Sequence, residues 1–221
     1  RPVRAMTEDE PAPEFDEAFR TRFEQLLRWR RDVRAFRPDP LPEGALQRLV
    51  EVASLAPSVG YSQPWRFVTV SDPERRKIVR AAFEDANRQA LEGYDGERKQ
   101  LYARLKLAGL DQAPEQVAIF TDHGTPRGHG LGRQTMPEML DYSTVNAIHT
   151  FWLAARAEGI GAGWLSILDP VRVTEALNVP ESWSLTAYLC VGYPAEESER
   201  PKLEQVGWEE KAAESSTILR R

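Results

Sequence analysis

Five arginines crowd into ten residues, Arg28, Arg30, Arg31, Arg34 and Arg37, with one acid, Asp32, among them. Guanidinium groups stay charged at any working pH and grip phosphate through paired hydrogen bonds. Such a run can hold a phosphate monoester. It can equally be a solvated basic face paired within a helix. A carboxylate among arginines is expected to be held in its ionised form. Asp32 would then either orient the arginines or accept a proton from a ligand.

Two further segments can meet a ligand. Ala56 to Trp65 is rich in small residues and breakers, which let backbone approach closely. There Ser58, Ser62 and Gln63 offer hydrogen bonds and Trp65 a flat face. The same composition also suits a plain helix-to-strand connection. Gly159-Ile-Gly161-Ala-Gly163-Trp164-Leu165-Ser166 superficially matches a dinucleotide fingerprint. That fingerprint needs a strand before its glycines and a helix after them. Here the order is reversed, so a nicotinamide-binding fold of that type is excluded. These glycines would let the chain turn and pass something flat, with Ser166 on or just after the following strand. Asp122, His123 and His129 have no zinc spacing and read as a polar loop. His149 reads as a core or interface residue. Cys190 lies in an apolar run and reads as an inert buried thiol.

The elements that must position these residues follow from periodicity. Phe15, Phe19, Phe23, Leu26 and Leu27 fall at helical spacing up to Trp29. A second helix runs from about Glu43 to Leu55, and Trp65–Val70 reads as a strand. Asp72-Pro73 starts a helix reaching about Leu91, and a charged helix covers about Glu97–Leu107. Val117–Thr121 is a strand, and His123–Gln134 is a loop. Thr135-Met136-Pro137-Glu138 fits a capping box opening the longest helix, about Pro137–Glu158. Its apolar stripe is wide enough for a central or subunit-interface position. Trp164–Leu168 reads as a strand, Asp169-Pro170 as a short helix start, and Leu185–Val191 as an apolar strand. Beyond Pro194 the chain is charged and irregular. The mixture suggests a sheet flanked by helices.

At 221 residues the chain fits one domain. The net charge of −5 argues against a general nucleic-acid binder. No apolar run approaches the roughly 20 residues that cross a bilayer, and Arg1–Glu14 has no apolar stretch for a signal peptide. With one cysteine no internal disulfide forms. A cytoplasmic location is expected.

Taken together, Arg30-Arg31-Asp32-Val33-Arg34, the loop Ala56–Trp65 and the turn Gly159–Trp164 resemble the nitroreductase superfamily in order and spacing. The chain more closely resembles the 5,6-dimethylbenzimidazole synthase (BluB) family. That likeness is carried by Asp32 within the arginine run, Leu105-Lys106-Leu107 with Ala113-Pro114, and Gly130-Leu131-Gly132-Arg133. It continues through Thr135–Ser143, Gly163–Leu168, Tyr188-Leu189-Cys190 with Gly192-Tyr193-Pro194, and Gly207-Trp208-Glu209.

The resemblance implies an α+β nitroreductase-like fold, with a mixed, mostly antiparallel sheet flanked by helices. It implies a homodimer with FMN at the subunit interface. The domain would span 14–210, with a flexible lead at 1–13, a lid around 90–112 and a tail at 211–221. Reduced FMN would be the substrate: it reacts with O2, the isoalloxazine is broken apart, and the lower ligand of vitamin B12 and erythrose 4-phosphate are released. By the same resemblance Asp32 and Ser166 are tied to the fragmentation. A fixed carboxylate can act as general base at carbon. Arg30, Arg31, Asp32, Val33 and Arg34 belong to the flavin site. So do Ser58, Ser62, Pro64, Trp65 and Leu105, and the run Gly163, Trp164, Leu165 and Ser166. NAD(P)H would act indirectly, through a separate flavin reductase. No metal, membrane or nucleic acid is implied. Many nitroreductases carry Ser or Thr where Asp32 stands, and Asn where Tyr61 and Ser62 stand. This departure argues against NAD(P)H-driven nitro reduction. An NAD(P)H-dependent FMN nitroreductase or dehalogenase remains one alternative, and a non-catalytic flavin-binding protein another.

Overall fold

A computed structural model describes residues 11–105, 109–218 and 220. Residues 1–10 of the expected lead, and Lys106 and Leu107 of the expected charged helix and lid, lie outside the described residues. The chain builds helices α1 (Glu17–Trp29), α2 (Ala45–Ala53), α3 (Pro73–Glu92), α4 (Gly96–Arg104), α5 (Met139–Ala157), α6 (Pro170–Leu177) and α7 (Lys202–Gln205). The strands are β1 (Trp65–Thr69), β2 (Glu115–Asp122), β3 (Gly161–Leu165) and β4 (Trp183–Gly192), in the order β1-β2-β4-β3. All neighbouring strands pair antiparallel. The mixed character expected of the sheet survives only as one isolated parallel bridge, between Asp32 and Ala162.

Apolar residues on one face of the sheet, Ile119 and Leu189 among them, pack with Leu49 of α2 and with Ile148 and Phe151 of α5. On the other face Phe120 and Tyr188 pack with Val79 of α3 and Val173 of α6. Each such side chain contributes about 1.5–3 kcal/mol on leaving water. The sheet is therefore flanked by helices on both faces. α5 buries Leu140, Thr144, Ile148, Phe151 and Ala155, the stripe read from its spacing. His149 is exposed rather than core.

Helix starts follow the Asp-Pro pairs. Asp72 accepts the Glu74 N–H at 2.9 Å. Asp169 accepts the N–H groups of Val171 and Arg172 at 3.0 and 3.2 Å. The capping box at Thr135 does not form. α5 begins at Met139, with Glu138 at the cap making no side-chain bond. A residue before proline disfavours helical backbone, so Met136 cannot serve as a first helical residue ahead of Pro137. β3 begins and ends earlier than expected, at Gly161 and Leu165. The region beyond Pro194, expected to be irregular, contains α7 and a 3-10 turn at Ala213–Ser216.

α1 forms where the spacing placed it, but none of its residues is buried. Phe15, Phe19 and Phe23 are 57%, 47% and 45% exposed. Their rings line up along the helix, with centroids 4.7 and 6.3 Å apart.

Candidate active site

The arginine run leaves α1 as extended backbone, and this splits the expected cluster. Val33 N–H donates to Ala162 O at 3.1 Å, seating the segment along the outer side of β3. Asp32 and Arg34 turn to one residue of that strand. Asp32 Oδ1 accepts the Trp164 backbone N–H at 2.8 Å. Arg34 Nη2 donates to Trp164 O at 2.7 Å, and Arg34 also pairs with Asp32 Oδ2. One carboxylate, one guanidinium and the backbone of one residue thus close a ring of contacts.

Asp32 departs from the expectation that its arginines would hold it ionised. Burial against the body of the protein pushes its carboxyl above the usual carboxylate range. The Arg34 charge and the Trp164 N–H pull the other way and do not overcome it. Removing a carboxylate from water disfavours its charged form, although 40% of the Asp32 side chain remains open.

Arg30 and Arg31 face elsewhere. Arg30 lies over the Trp152 ring, 4.8 Å from its centroid, and Trp152 Nε1 donates to Arg31 O at 3.2 Å. With Arg156 and Glu197 these residues line a small pocket. Arg156 is bidentate to Glu197, both distances 2.8 Å. Arg31 Nε is buried without a hydrogen-bond partner. Burial, together with the nearby Arg30 and Arg156 charges, outweighs Glu199 and Glu204 and lowers the Arg31 pKa. A buried, unpaired donor among like charges favours an anion. Arg37 belongs to neither group. It pairs with Asp39 at 3.0 Å and stacks on Tyr193.

The glycines at 161 and 163 do pass something closely, but it is the chain itself. A Cβ on Gly163 would stand 2.1 Å from Val33 O. Leu165 is buried. Ser166 follows β3 and is exposed, and among the described residues nothing holds its hydroxyl. Cys190 pairs with Gly163 in the sheet register and is buried, its thiol pushed up to about 12 by burial. It is buried, as its apolar run predicts.

The proline loop stands apart from this cluster. Val59 N–H donates to Ser143 Oγ at 3.0 Å, near the start of α5. Nine residues of helix, about 13 Å at 1.5 Å per residue, separate Ser143 from Trp152. Ser58 Oγ accepts the Gln63 N–H at 3.1 Å. Ser62 is 1% exposed and its hydroxyl has no partner, which leaves it available to a ligand. Tyr61 is 72% exposed and has φ of 56°, a left-handed conformation that persists only where surroundings impose it. Pro64 and Trp65 are buried. Trp65 packs with Ala56 and Ala147, so its ring belongs to the core rather than offering a free face. Leu105 ends α4, its N–H donating to Tyr102 O at 2.9 Å. His123 approaches Ser184 Oγ at 2.8 Å and Asp141 at 3.3 Å through the same Nε2, which is no relay. Sequence alone does not mark Trp152, Arg156 or Glu197 as site residues. Trp152 lay within an apolar stripe, and nothing in sequence joins Arg156 to Glu197.

Two orphaned buried donors, paired arginines and an anchored carboxylate fit an anionic ligand with a polar ring edge. Residues 27–193 match the model of the nitroreductase family. The chain is 54% identical to 5,6-dimethylbenzimidazole synthase of Rhodospirillum rubrum, over 89% of this chain and 93% of that one. It is 48% identical to the protein of the same name from Rhodobacter capsulatus, over 89% and 95%. Its fold resembles oxidised iodotyrosine deiodinase bound to FMN and 3-iodo-L-tyrosine, with a TM-score of 0.68, 24% identity and coverage of 89% and 97%. The chain belongs to the nitroreductase family, within which it groups with the 5,6-dimethylbenzimidazole synthases.

Proposed function

We propose that this chain is a 5,6-dimethylbenzimidazole synthase that consumes reduced FMN and O2, with erythrose 4-phosphate as the second product. Its identity to two proteins of that name supports the activity. The observation that carries it is the Asp32 carboxylate, anchored on one oxygen by Trp164 N–H and on the other by Arg34. So held, the carboxylate cannot swing. Its raised pKa makes it, once deprotonated, a stronger base than an ordinary aspartate.

Reduced FMN, when bound, would supply the ring system that reacts with O2 and is cleaved. Arg30 and Arg31 would hold its phosphate, and Arg34 and Ser62 its polar ring edge. Asp32 would take a proton from carbon. The exposed hydroxyl of Ser166, two residues beyond Trp164, would donate a hydrogen bond to the reacting oxygen. Residues around 90–112 would cover the site and keep water out.

The separation of the proline loop from Asp32 along α5 suits a site completed by a second copy. A homodimer would cover the aromatic row of α1 together with Tyr142 and Val145 of α5, which are 51% and 39% exposed. Electrons would reach FMN through a separate flavin reductase.

The test mixes the protein with reduced FMN and air, follows flavin absorbance by stopped flow, and separates the products by chromatography. Permanent loss of the flavin spectrum with formation of dimethylbenzimidazole is expected. Full recovery of the oxidised spectrum would mark a flavin-binding protein. Fast reduction of bound FMN by NAD(P)H alone, with no product, would mark a nitroreductase or dehalogenase.

A further inference from the structure

Among the described residues, the non-glycine residues with left-handed backbone are Tyr61, Gln63, His129 and Asn178. Asn178 caps α6, a place asparagine commonly fills. The others sit on two facing loops. Tyr61 and Gln63, with φ of 56° and 47°, belong to the proline loop. His129, with φ of 50°, belongs to the loop between β2 and α5. The two loops meet backbone to backbone. A Cβ on Gly128 would stand 2.8 Å from Gly60 O, and one on Gly60 would stand 3.0 Å from both Gly128 O and Leu131 O. Arg133 Nη2 donates to Thr125 O at 3.0 Å and closes the second loop.

Hydrogen bonds fix the proline loop from within. Tyr61 N–H donates to Ser58 O at 3.1 Å, and Ser62 N–H to Val59 O at 3.0 Å. Ser143 Oγ accepts the Val59 N–H and Ser58 Oγ that of Gln63. Tyr61 is thereby held in a conformation that is costly for a bulky residue and nearly free for glycine. Packing within the chain does not offset that cost. Tyr61 is 72% exposed, and no described residue bonds its hydroxyl or stacks on its ring. Its neighbour Ser62 is 1% exposed, with a hydroxyl that has no partner. Strained residues gather where a ligand is clamped. A buried hydroxyl without a partner calls for a small hydrogen-bonding molecule rather than an apolar protein face.

We propose that Tyr61 is a ligand-contacting residue, its ring held out by the strained loop to stack on the planar ring system of a bound flavin. This rests on the flavin reading of the site. Tyr61 supplies a flat apolar face, which a fused aromatic ligand matches by offset stacking. Ser62, beside it, supplies a hydroxyl for the polar edge. The strain secures rigidity, and a ring already set in place loses little freedom when the ligand arrives. Gly128 leaves room for the Gly60 carbonyl, so the loop after β2 is the support that keeps Tyr61 in position.

Fluorescence titration of the full chain with FMN, and with riboflavin, which shares the ring and lacks the phosphate, tests the contact. Tyr61→Gly should weaken both by the same factor, about tenfold for a lost stacking contact. Tyr61→Phe keeps the ring and should stay within about twofold of the parent. The unfolding temperature of Tyr61→Gly should not fall, because relief of the left-handed strain offsets the freedom glycine adds to the unfolded chain. A lower unfolding temperature would assign the ring to the fold. Conversion to monomers, read by light scattering, would assign it to a second copy. A loss confined to FMN would assign it to the phosphate. Each of these overturns the proposal. Should riboflavin bind too weakly to measure, FMN decides through the glycine and phenylalanine variants. A parent that binds neither flavin removes the flavin reading and the contact together. A parent that binds FMN no more tightly than Tyr61→Gly does removes the contact alone.

Discussion

Asp32 and Trp164 are 132 residues apart in sequence and joined by a 2.8 Å hydrogen bond from the Trp164 N–H to Asp32 Oδ1. The bond places the one acid of a basic run beside the strand that leads to Ser166. Asp32→Asn keeps an acceptor for that N–H and removes the base. FMN affinity should change by only a few-fold, and product formation should fall by about 10²–10⁴, the range for loss of a positioned general base. Fluorescence titration and chromatography measure the two quantities. Product at the parent's rate would remove Asp32 from the chemistry.

The raised Asp32 pKa sets the sign of a pH effect on stability. Folding favours the neutral carboxyl, so its contribution is fully present below the ordinary aspartate value. It is lost as pH rises through the folded value, which lies higher. Asp32→Asn should therefore gain stability over the parent near neutrality and lose that gain on acidification below about pH 4. Urea unfolding of both proteins across this window reads the difference.

Gly163→Ala would place a Cβ 2.1 Å from Val33 O. Backbone must give way, so the segment bearing Asp32 and Arg34 should lift from β3. A stability loss of about 1–3 kcal/mol is expected from such overpacking, accompanied by loss of product formation. Thermal unfolding and the product assay check both.

Ser166→Ala touches an exposed side chain that no described residue holds. Stability should stay within about 0.5 kcal/mol of the parent, while the yield of dimethylbenzimidazole per FMN consumed falls. A yield equal to the parent's would dismiss a role for the hydroxyl.

Phe19→Asp places a charge in the exposed aromatic row of α1. If that row is the dimer face, light scattering should show monomers and FMN affinity should fall with them. A dimer that persists with unchanged affinity would move the interface elsewhere.

Much of this architecture is visible in local pattern. Asp72-Pro73 and Asp169-Pro170 carry their cap and first helical residue side by side, and the α5 stripe repeats at the helical period. Thr135 misled because the proline two positions later overrides the cap. The site was legible only as ingredients. Whether arginines share a pocket depends on the path of the extended backbone, which sends Asp32 and Arg34 to Trp164 and leaves Arg30 and Arg31 in the pocket with Trp152. The sign of the Asp32 shift depends on how much protein surrounds it, which no spacing records. Gly163 suggests room for a flat ligand because sequence does not show that Val33 already fills the space.

β3 ends the strand order, and a sheet's last strand presents unpaired N–H and C=O groups that can recruit a foreign strand. Here Val33 N–H takes Ala162 O, while Asp32 and Arg34 take the N–H and C=O of Trp164. The side chains proposed to serve catalysis are thus also the stopper on an adhesive border. Drift at Asp32 or Arg34 would threaten not only turnover but colloidal behaviour, so purifying selection at these two positions would act through solubility even in a lineage that no longer needed the reaction.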